Sequence, residues 1–271
     1  MPSFLHSGNH SFFLNDTYSP VVDLQSKLAY MWDAEYSSTI TRDGGGLVSE
    51  WRDLVDGTPM VQATAANKPV YSATSFGGGA GVTFDGVNDE LTYVFAGGHR
   101  FPLAAAPVEI WVLVSSAAPD TNTTTLYFFA YGTNTGARSV GRFGSPYPEG
   151  QTTGGYHNRS RASMTGTGTT NCNPNADLGL NTRFYFRMTN NGTTTTMQNN
   201  GATLGGPVNN SSVPMVPATI TGRARMGASS APTIANWAPC TIACVAVFTT
   251  LLTIDECDAM ETYLHQRRRL G

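Results

Sequence analysis

The clearest indication of the fold comes from three consecutive segments at the C-terminal end of the chain. They read Ile220-Thr-Gly-Arg-Ala-Arg-Met-Gly-Ala228, Thr241-Ile-Ala-Cys-Val-Ala-Val-Phe248 and Leu251-Leu-Thr-Ile-Asp-Glu-Cys-Asp-Ala-Met-Glu-Thr-Tyr-Leu264. Apolar and polar residues alternate in the first segment, the second is almost entirely apolar, and only the third has helical spacing. The sequence therefore predicts a strand, a loop, a second strand and a short terminal helix.

The side chains around residue 253 predict where that helix begins. Thr253 can accept a hydrogen bond from the amide of Glu256, and Glu256 can reach back to the amide of Thr253, which forms a capping box. Cys257, Met260 and Leu264 then recur at helical spacing, so one narrow stripe faces a core. We expect a helix over residues 254–268.

The rest of the chain has the two-residue period of strands. Val108–Val114 is apolar on both faces, as in a central strand, and Leu126–Tyr131 is similar. Thr193–Gln198 lies between two Asn-Gly pairs, which favour hairpins. Residues 132–176 are interpreted as long loops with one strand at Ala137–Phe143. The predicted core residues are Trp32, Trp51, Phe84, Val112, Phe184, Phe186, Ile242 and Phe248.

Composition narrows the class of protein. The chain has 271 residues, 40% hydrophobic and only 13% charged, with a net charge of −3, which suits one large β-sandwich with uncharged polar surfaces. The acidic balance argues against nucleic-acid partners, and no apolar segment is long enough for membrane insertion. The N-terminus lacks the basic and apolar regions of a secretory signal. The four cysteines are too few for a disulfide framework, and we expect buried free thiols.

Several segments, in order, resemble one family. Leu28-Ala-Tyr-Met-Trp-Asp-Ala34 is similar to its opening strand, and Leu47-Val-Ser-Glu-Trp-Arg-Asp53 resembles its V-S-x-W-x-D segment. Gly81-Val-Thr-Phe-Asp-Gly-Val-Asn-Asp89 resembles its F-D-G-x-x-D segment. The family is the laminin G-like group of the concanavalin A-like lectin and glucanase superfamily. The resemblance implies an all-β, two-sheet antiparallel jelly-roll sandwich over residues 26–271, with a short C-terminal helix, preceded by an attachment arm over residues 1–25.

The wording of the Gln62–Tyr71 segment is especially similar to members found in tailed-phage and phage-like virion proteins. This resemblance implies a non-catalytic glycan-binding or host-adhesion protein of a head spike, decoration or fibre. Its partners would be host cell-surface polysaccharide and, through the arm, other virion subunits, in a homo-oligomer or a hetero-assembly. The particle would assemble in the bacterial cytoplasm and act outside the cell. The alternatives are a purely structural virion protein that uses the fold for subunit contacts, and a glycoside hydrolase.

One segment has the spacing of a catalytic motif. Glu256-Cys-Asp-Ala-Met-Glu261 fits the E-x-D-x-x-E pattern of a glucanase family that shares the concanavalin-like fold, where the acids lie along a strand. On a helix, Glu256 and Asp258 point about 160° apart, so they cannot converge on one sugar. We therefore predict that the protein is not an enzyme.

Two surfaces are candidates for glycan binding. The first is the 132–176 region, where Tyr147, Tyr156, His157 and Arg159 combine rings with polar donors. The second consists of Arg183, Tyr185, Arg187, Arg223 and Arg225, which would share one outer face if their two strands belong to one sheet. The alternatives are that the loop aromatics pin their own loop or contact a neighbouring subunit, and that the arginines are a solvated face paired with nearby acids.

A turn rich in carboxylates is the candidate metal site. Asp85, Asn88 and Asp89 offer the oxygen ligands that Ca²⁺ requires. The alternative is a hairpin turn in which Asp-Gly makes the turn and Asp89 accepts backbone amides. No other cofactor is expected.

Overall fold

The computed structural model describes residues 19–95, 99–101, 107–116, 128–133, 139–143, 162–165, 169–172, 183–191, 194–203, 208–209, 222–228 and 237–268. These residues form two α-helices, α1 Pro20–Asp23 and α2 Ile254–Arg268, and two 3₁₀ turns, Ser37–Thr39 and Ala65–Asn67. The strands are, in chain order, β1 Leu28–Asp33, β2 Ile40–Arg42, β3 Val48–Arg52, β4 Pro59–Val61, β5 Val70–Phe76, β6 Gly79–Asp85, β7 Leu91–Val94, β8 Val108–Ser116, β9 Phe129–Thr133, β10 Ser139–Phe143, β11 Ala162–Thr165, β12 Thr169–Cys172, β13 Arg183–Asn190, β14 Thr194–Asn199, β15 Ala202–Thr203, β16 Val208–Asn209, β17 Gly222–Met226 and β18 Pro239–Phe248.

The strands form two large antiparallel sheets. The nine-stranded sheet has the order β15-β14-β13-β8-β18-β6-β5, with β1 also paired to β18 and β16 to β14. The seven-stranded sheet has the order β10-β9-β17-β7-β4-β3-β2, and β11 pairs with β12 as a separate hairpin. Together with the single long helix α2, this arrangement confirms the predicted two-sheet antiparallel sandwich.

Buried side chains fall into two clusters that share the nine-stranded sheet. The inner cluster lies between the two sheets, and the outer cluster lies between the nine-stranded sheet and helix α2. All eight predicted core residues are buried: Phe248 belongs to the outer cluster, and the other seven belong to the inner cluster. Because the nine-stranded sheet is covered on both faces, its central strands need apolar residues on both faces.

Strand β8 satisfies that requirement, as its sequence predicts. It lies between β13 and β18, with Val112 in the inner cluster and Trp111 and Leu113 in the outer cluster. Strand β18 also has apolar residues on both faces, but its register against β8 shifts between Ile242 and Cys244. One extra residue in a strand is a β-bulge, and it exchanges the faces of all the residues that follow.

The bulge decides where two of the cysteines lie. Cys240 belongs to the inner cluster and Cys244 to the outer cluster, so the sheet separates their thiols. Both thiols are free, as is that of Cys257, which confirms the prediction for these three residues. Burial raises the pKa of the Cys257 thiol to about 11, which keeps it protonated and unreactive near neutral pH.

Helix α2 begins and ends where the sequence predicts. The amide of Thr253 donates to Glu256 Oε2 at 2.7 Å, and the amide of Glu256 donates to Thr253 Oγ1 at 3.3 Å, which is the predicted capping box. Glu256 also pairs with Lys27 Nζ at 2.6 Å, which ties the helix start to the residue before β1. The predicted stripe of Cys257, Met260 and Leu264 faces the outer cluster. Leu24 and Val21 pack there too, so the end of the predicted 1–25 arm lies against the sandwich.

The predicted hairpins are present, and the middle of the chain has more strands than expected. Strands β13 and β14 form a hairpin, and Asn200 and Gly201, both with positive φ, turn β14 into β15. Within residues 132–176 the single predicted strand corresponds to β10, but β11 and β12 lie there as well. Their threonine-rich sequence lacks the apolar alternation by which the other strands were recognised.

Within the described ranges, neither helix is long and apolar enough to cross a membrane.

The inner cluster yields a stability prediction. Phe186 is fully buried, with its ring 4.8 Å from that of Phe184 and 6.2 Å from that of Phe128. We expect Phe186→Ala to lower the free energy of unfolding by about 3–5 kcal/mol, because the substitution leaves a cavity in a packed core. Urea unfolding measures the change, and Phe186→Leu, which keeps most of the volume, should lose less. Equal losses for the two variants would contradict this packing.

Candidate functional site

Buried polar side chains hold helix α2 on the nine-stranded sheet. The Glu109 carboxylate is fully buried and accepts hydrogen bonds from Trp111 Nε1 at 2.7 Å, Arg187 Nε at 2.9 Å and the Leu252 amide at 3.0 Å. Burial alone would lower the pKa of Arg187, but the hydrogen bonds and charge of Glu109 raise it. Arg187 therefore neutralises a carboxylate beneath the helix.

The other two candidates on β13 also lie on this side of the sheet. Tyr185 is 1% exposed and belongs to the outer cluster, with its ring 5.5 Å from Trp111 and in edge contact with His265. Arg183 donates from Nη1 to the carbonyl of Gly77 at 3.4 Å, where the glycine leaves room for the guanidinium group. The predicted alternation along β13 is correct, but its polar side meets the helix, which the alternation alone could not indicate.

A second buried polar group fixes the far end of α2. Tyr263 Oη donates to Asp33 Oδ2, and Arg267 Nε donates to the same oxygen at 3.1 Å. Burial raises the pKa of Asp33, while Arg267 and Tyr263 oppose that rise. Both polar groups connect the helix to the sheet, and we interpret them as structural.

The arginines of β17 do not share a sheet with those of β13, so the predicted five-residue face does not exist. Strand β13 pairs with β8 and β14, whereas β17 pairs with β7 and β9 in the seven-stranded sheet. The prediction was conditional on one sheet, and period-two alternation does not reveal which strands pair. Arg223 and Arg225 lie instead on the outer side of the seven-stranded sheet, opposite the inner-cluster residues Ala224 and Met226.

The outer side of this sheet carries a row of paired residues. Arg225 pairs with Thr92, Thr92 with Val61, and Val61 with Glu50, while Arg223 pairs with Val94 in the neighbouring row. Arg52, two residues after Glu50, faces the same way. We call this surface the polar face; it comprises Glu50, Arg52, Val61, Thr92, Val94, Arg223 and Arg225.

A buried ion pair lies within the polar face. Arg225 Nε lies 3.1 Å from Glu90 Oε2 and donates to Thr92 Oγ1 at 3.2 Å, and Arg225 is only 2% exposed. Gln62 Nε2 donates to the carbonyl and the carboxylate of Glu90 at 3.4 and 3.5 Å. Burial lowers the pKa of Arg225, although the charge of Glu90 opposes this. These contacts hold β4, β7 and β17 in a defined arrangement.

The accessible part of the polar face combines apolar and charged groups. Val61 is 45% and Val94 is 64% exposed, and as diagonal neighbours across two paired strands they stand about 7 Å apart. Glu50 and Arg52 form an exposed ion pair at 2.6 Å on one side, and Arg223 lies on the other. This surface offers a small apolar patch between hydrogen-bond donors and acceptors, which suits a ligand with both kinds of surface.

In the candidate calcium turn, the carboxylates accept hydrogen bonds from backbone amides of the turn itself. Asp85 Oδ1 accepts the amides of Val87, Asn88 and Asp89, and Asp89 Oδ2 accepts the amide of Asp85 at 3.0 Å. Gly86 has a φ of 75°, and Pro239 leaves no room for a Cβ there. Among the described residues no three His, Cys, Asp or Glu side chains converge as metal ligands. The contacts are those of the turn in that alternative, but the turn joins β6 to β7 of the other sheet and is therefore not a hairpin. Calcium binding stays a prediction.

The loop candidates Tyr147, Tyr156, His157 and Arg159 lie outside the described residues, so their predicted role stays a prediction. Sequence reasoning missed most of the polar face, namely Glu50, Arg52, Val61, Thr92 and Val94. Its only signal was the alternation of β17, because β4 and β7 are too short to give a clear period of their own.

The fold defines the class of protein: a two-sheet antiparallel β-sandwich of the jelly-roll, concanavalin-like kind. No family model matches the chain, and no curated protein matches it. Solved structures do. A sialidase from Trypanosoma rangeli in complex with sialic acid superimposes with a TM-score of 0.60 at 14% identity, over 89% of this chain and 33% of the sialidase. The chain thus spans about a third of the length of that enzyme.

Two further structures match over single domains. Domain 4 of AbnA, a GH43 extracellular arabinanase from Geobacillus stearothermophilus in complex with arabinotriose, has a TM-score of 0.51 at 12% identity, over 90% of this chain and 98% of that domain. The binding domain of Paraclostridial Mosquitocidal Protein 1 has a TM-score of 0.57 at 9% identity, over 90% and 53%. At these identities the likeness shows the fold.

These matches contradict the prediction that the protein is not an enzyme. The sialidase and the arabinanase are both glycoside hydrolases, so enzymes contain sandwiches of this kind, and we withdraw that prediction. The helical argument about one segment stands by itself: Glu256 caps α2 and pairs with Lys27, and Asp258 follows on the same helix.

The ion pairs of the polar face allow a direct comparison of buried and exposed charge. We expect Arg225→Met to lower the free energy of unfolding by roughly 3–5 kcal/mol, because it leaves the Glu90 carboxylate buried without its cation. Arg52→Ala removes an exposed pair and should cost about 0–1 kcal/mol. Chemical denaturation of the two variants gives both values. A similar, small loss for both would show that Arg225 does not neutralise Glu90.

Proposed function

We propose that the protein binds glycans through the polar face. The observation that carries the proposal is the pair of exposed valines, Val61 and Val94, placed between charged side chains on a rigid sheet. A sugar ring has an apolar side of C–H groups and a rim of hydroxyls. The valines suit the apolar side, and the carboxylate of Glu50 and the guanidinium groups of Arg52 and Arg223 suit the rim.

Preorganisation supports the same proposal. A sheet whose outer side contains a buried ion pair presents its side chains in fixed positions, so little conformational entropy is lost when a ligand binds. The polar face keeps β4, β7 and β17 in register through Glu90, Gln62 and Arg225. Arginine adds a planar fork of donors that fits carboxylates, which favours acidic sugars among the ligands.

The comparisons add support at the level of architecture. Solved structures with this fold include a domain of an arabinanase in complex with arabinotriose and a sialidase in complex with sialic acid. What those proteins bind is their own property, and the sialidase is about three times as long as this chain. Their fold makes a carbohydrate ligand a reasonable one to test here.

The biological setting is a further part of the proposal and rests on the sequence resemblance. We infer that glycan binding attaches a phage or phage-like particle to host cell-surface polysaccharide, as a head spike, decoration or fibre. The segment before residue 19 would contact other virion subunits. The alternative is a virion subunit that uses the sandwich for assembly contacts without a glycan ligand.

Substitution of Val94 tests the proposal. We expect Val94→Asp to weaken binding to a glycan array or to purified capsule polysaccharide by about tenfold or more, because one buried charge without a partner costs well over 1.4 kcal/mol. The matched control is Val70→Asp, which changes an exposed strand valine in the other sheet. Both variants should keep the parent's unfolding midpoint within a few degrees.

Two outcomes would overturn the proposal. If Val94→Asp folds and binds glycans as the parent does, the polar face is not the binding surface. If the parent binds no glycan on an array that includes neutral and acidic bacterial polysaccharides, the structural-subunit alternative replaces it. That alternative predicts a defect in particle assembly for the same variant.

A further inference from the structure

The turn between β3 and β4 is built on one buried carboxylate. Asp53 directly follows β3 and accepts the amides of Val55 at 2.7 Å and Thr58 at 2.6 Å. Gly57 completes the turn with a φ of 77°, and the Leu54 amide donates to the Met31 carbonyl of β1 at 2.7 Å. This turn therefore sets the relative position of β3 and β4, which carry Glu50, Arg52 and Val61 of the polar face, and attaches it to β1.

A second carboxylate meets the first in this turn. The Thr58 amide donates to Asp53 Oδ2 and, at 3.0 Å, to Asp56 Oδ1, so one N–H group serves both side chains. The Asp56 amide also donates to Asp53 Oδ1 at 3.3 Å, so the two carboxyl groups are close neighbours. Two carboxylates in such a position repel each other, and a proton on one of them removes the repulsion.

Arg100 joins this pair to the end of β7. Its Nη1 lies 3.3 Å from Asp56 Oδ2, its Nη2 donates to the Leu28 carbonyl at 3.0 Å, and its amide donates to the Tyr30 phenol oxygen at 2.7 Å. The next residue, Phe101, is buried with its ring 4.5 Å from Tyr30. Phe95, immediately after β7, stacks on His99 and contacts Phe101, so this segment holds the strand end that presents Val94.

The proton lies on the buried member of the pair. Burial raises the pKa of Asp53 to about 7, and the contact with Asp56 adds to the rise. Burial would also raise the pKa of Asp56, but hydrogen bonds from Asp53, Thr58 and Arg100 lower it to about 2. In mildly acidic solution Asp53 is therefore neutral beside an ionised Asp56, which also binds Arg100.

We propose that the Asp53–Asp56 pair is a pH-sensitive latch, whose single shared proton holds the β3–β4 turn and the Arg100 segment together beneath the polar face. Loss of that proton places two charges in contact, loosens the three strands β3, β4 and β7, and weakens ligand binding. The binding part of this inference rests on the proposed glycan function, whereas the latch itself does not.

The other charged and titratable groups around the pair are Arg100, Arg52, Tyr30 and His99. Arg100 faces Asp56, and Arg52 Nη1 donates to the Gly57 carbonyl of the turn at 3.2 Å. The Tyr30 phenol stays neutral, because burial raises its pKa. Burial lowers the pKa of His99, so His99 gains its proton only in more acidic solution.

The sign of the effect on stability follows from linkage. A carboxyl group whose pKa is raised by folding stabilises the fold fully below its unfolded pKa of about 3.9, and that contribution is lost as the pH rises to about 7. Asp89, with a pKa of about 6, and Asp33 add similar slopes, so the latch must be isolated with a variant.

The variant is Asp53→Asn, which does not titrate; its single oxygen can accept the turn amides on only one side, so the variant also loses a constant amount of stability that does not depend on pH. Relative to this variant, the native protein should lose stability as the pH rises from about 4.5 to about 7 and stay constant above it. The matched control is Asp43→Asn, in which Asp43 likewise accepts turn amides, from Gly45 and Leu47. Its midpoint should follow the native protein at every pH.

Two more measurements complete the test. Carbon-13 NMR of the unsubstituted protein should give an Asp53 carboxyl titration near neutral pH, which needs no variant to fold. If only the protonated form binds, affinity for capsule polysaccharide falls by up to about tenfold between pH 6 and pH 8 in the native protein and stays constant in Asp53→Asn.

The outcomes separate the two proposals. An Asp53 carboxyl that titrates near its ordinary value, or native stability that follows Asp53→Asn at every pH, overturns the latch. A titrating latch with glycan affinity that does not change with pH overturns its control of the polar face. Absence of glycan binding at every pH overturns the proposed function and leaves the NMR and stability results to decide the latch.

Discussion

The buried carboxylate of Glu109 is the interaction on which the covered side of the molecule depends. It sits at the centre of the nine-stranded sheet and must be neutralised there, since an isolated charge is very costly in a protein interior. Arg187 supplies the opposite charge from the adjacent strand, and the Leu252 amide brings the start of helix α2 onto the same group. One charge thus joins two strands and the helix. The start of the helix is thereby placed over the apolar surface of Trp111, Leu113 and Phe248, and Asp33 holds its far end.

The covered side explains why the opposite side of the sandwich is the functional candidate. The nine-stranded sheet uses its outer face for the helix, and its central strands β8 and β18 are apolar on both faces. The seven-stranded sheet has no described helix on its outer face and instead pairs its own charges there, Arg225 with Glu90 and Arg52 with Glu50. Ion pairs therefore have two roles in this protein. The pair beneath α2 holds the helix on the sheet, whereas the pairs on the polar face fix the side chains of a surface that is exposed at Val61 and Val94.

The elements that could be predicted are those encoded by neighbours in the chain. The capping box of Thr253 and Glu256, the alternation of β13 and the Asn200-Gly201 turn all depend on residues within a few positions of one another. The pairing of β17 with β7 and β9, and the docking of α2 over Tyr185, join residues about 80 to 130 positions apart, and no local pattern encodes such a partner. The candidate site was the part of the structure that sequence patterns predicted least well, because whether a residue lies on the surface depends on its neighbours in space. Alternation showed that Tyr185 and Phe186 face opposite ways, but both faces proved to be interior.

The β-bulge at Ala243 has a consequence for comparing this chain with distant proteins of the same architecture. On one side of it, even-numbered residues of β18 face the second sheet; on the other side, odd-numbered residues do. Because nearly all residues of β18 are apolar, the sequence does not reveal that the positions facing the second sheet change from even-numbered to odd-numbered. An alignment that carries the pattern through without a one-residue offset would therefore exchange interior compartments for every position from Cys244 to Phe248. Sequence identities near 10% make such an error easy, and part of the apparent divergence between sandwiches of this kind can arise from phase rather than from substitution.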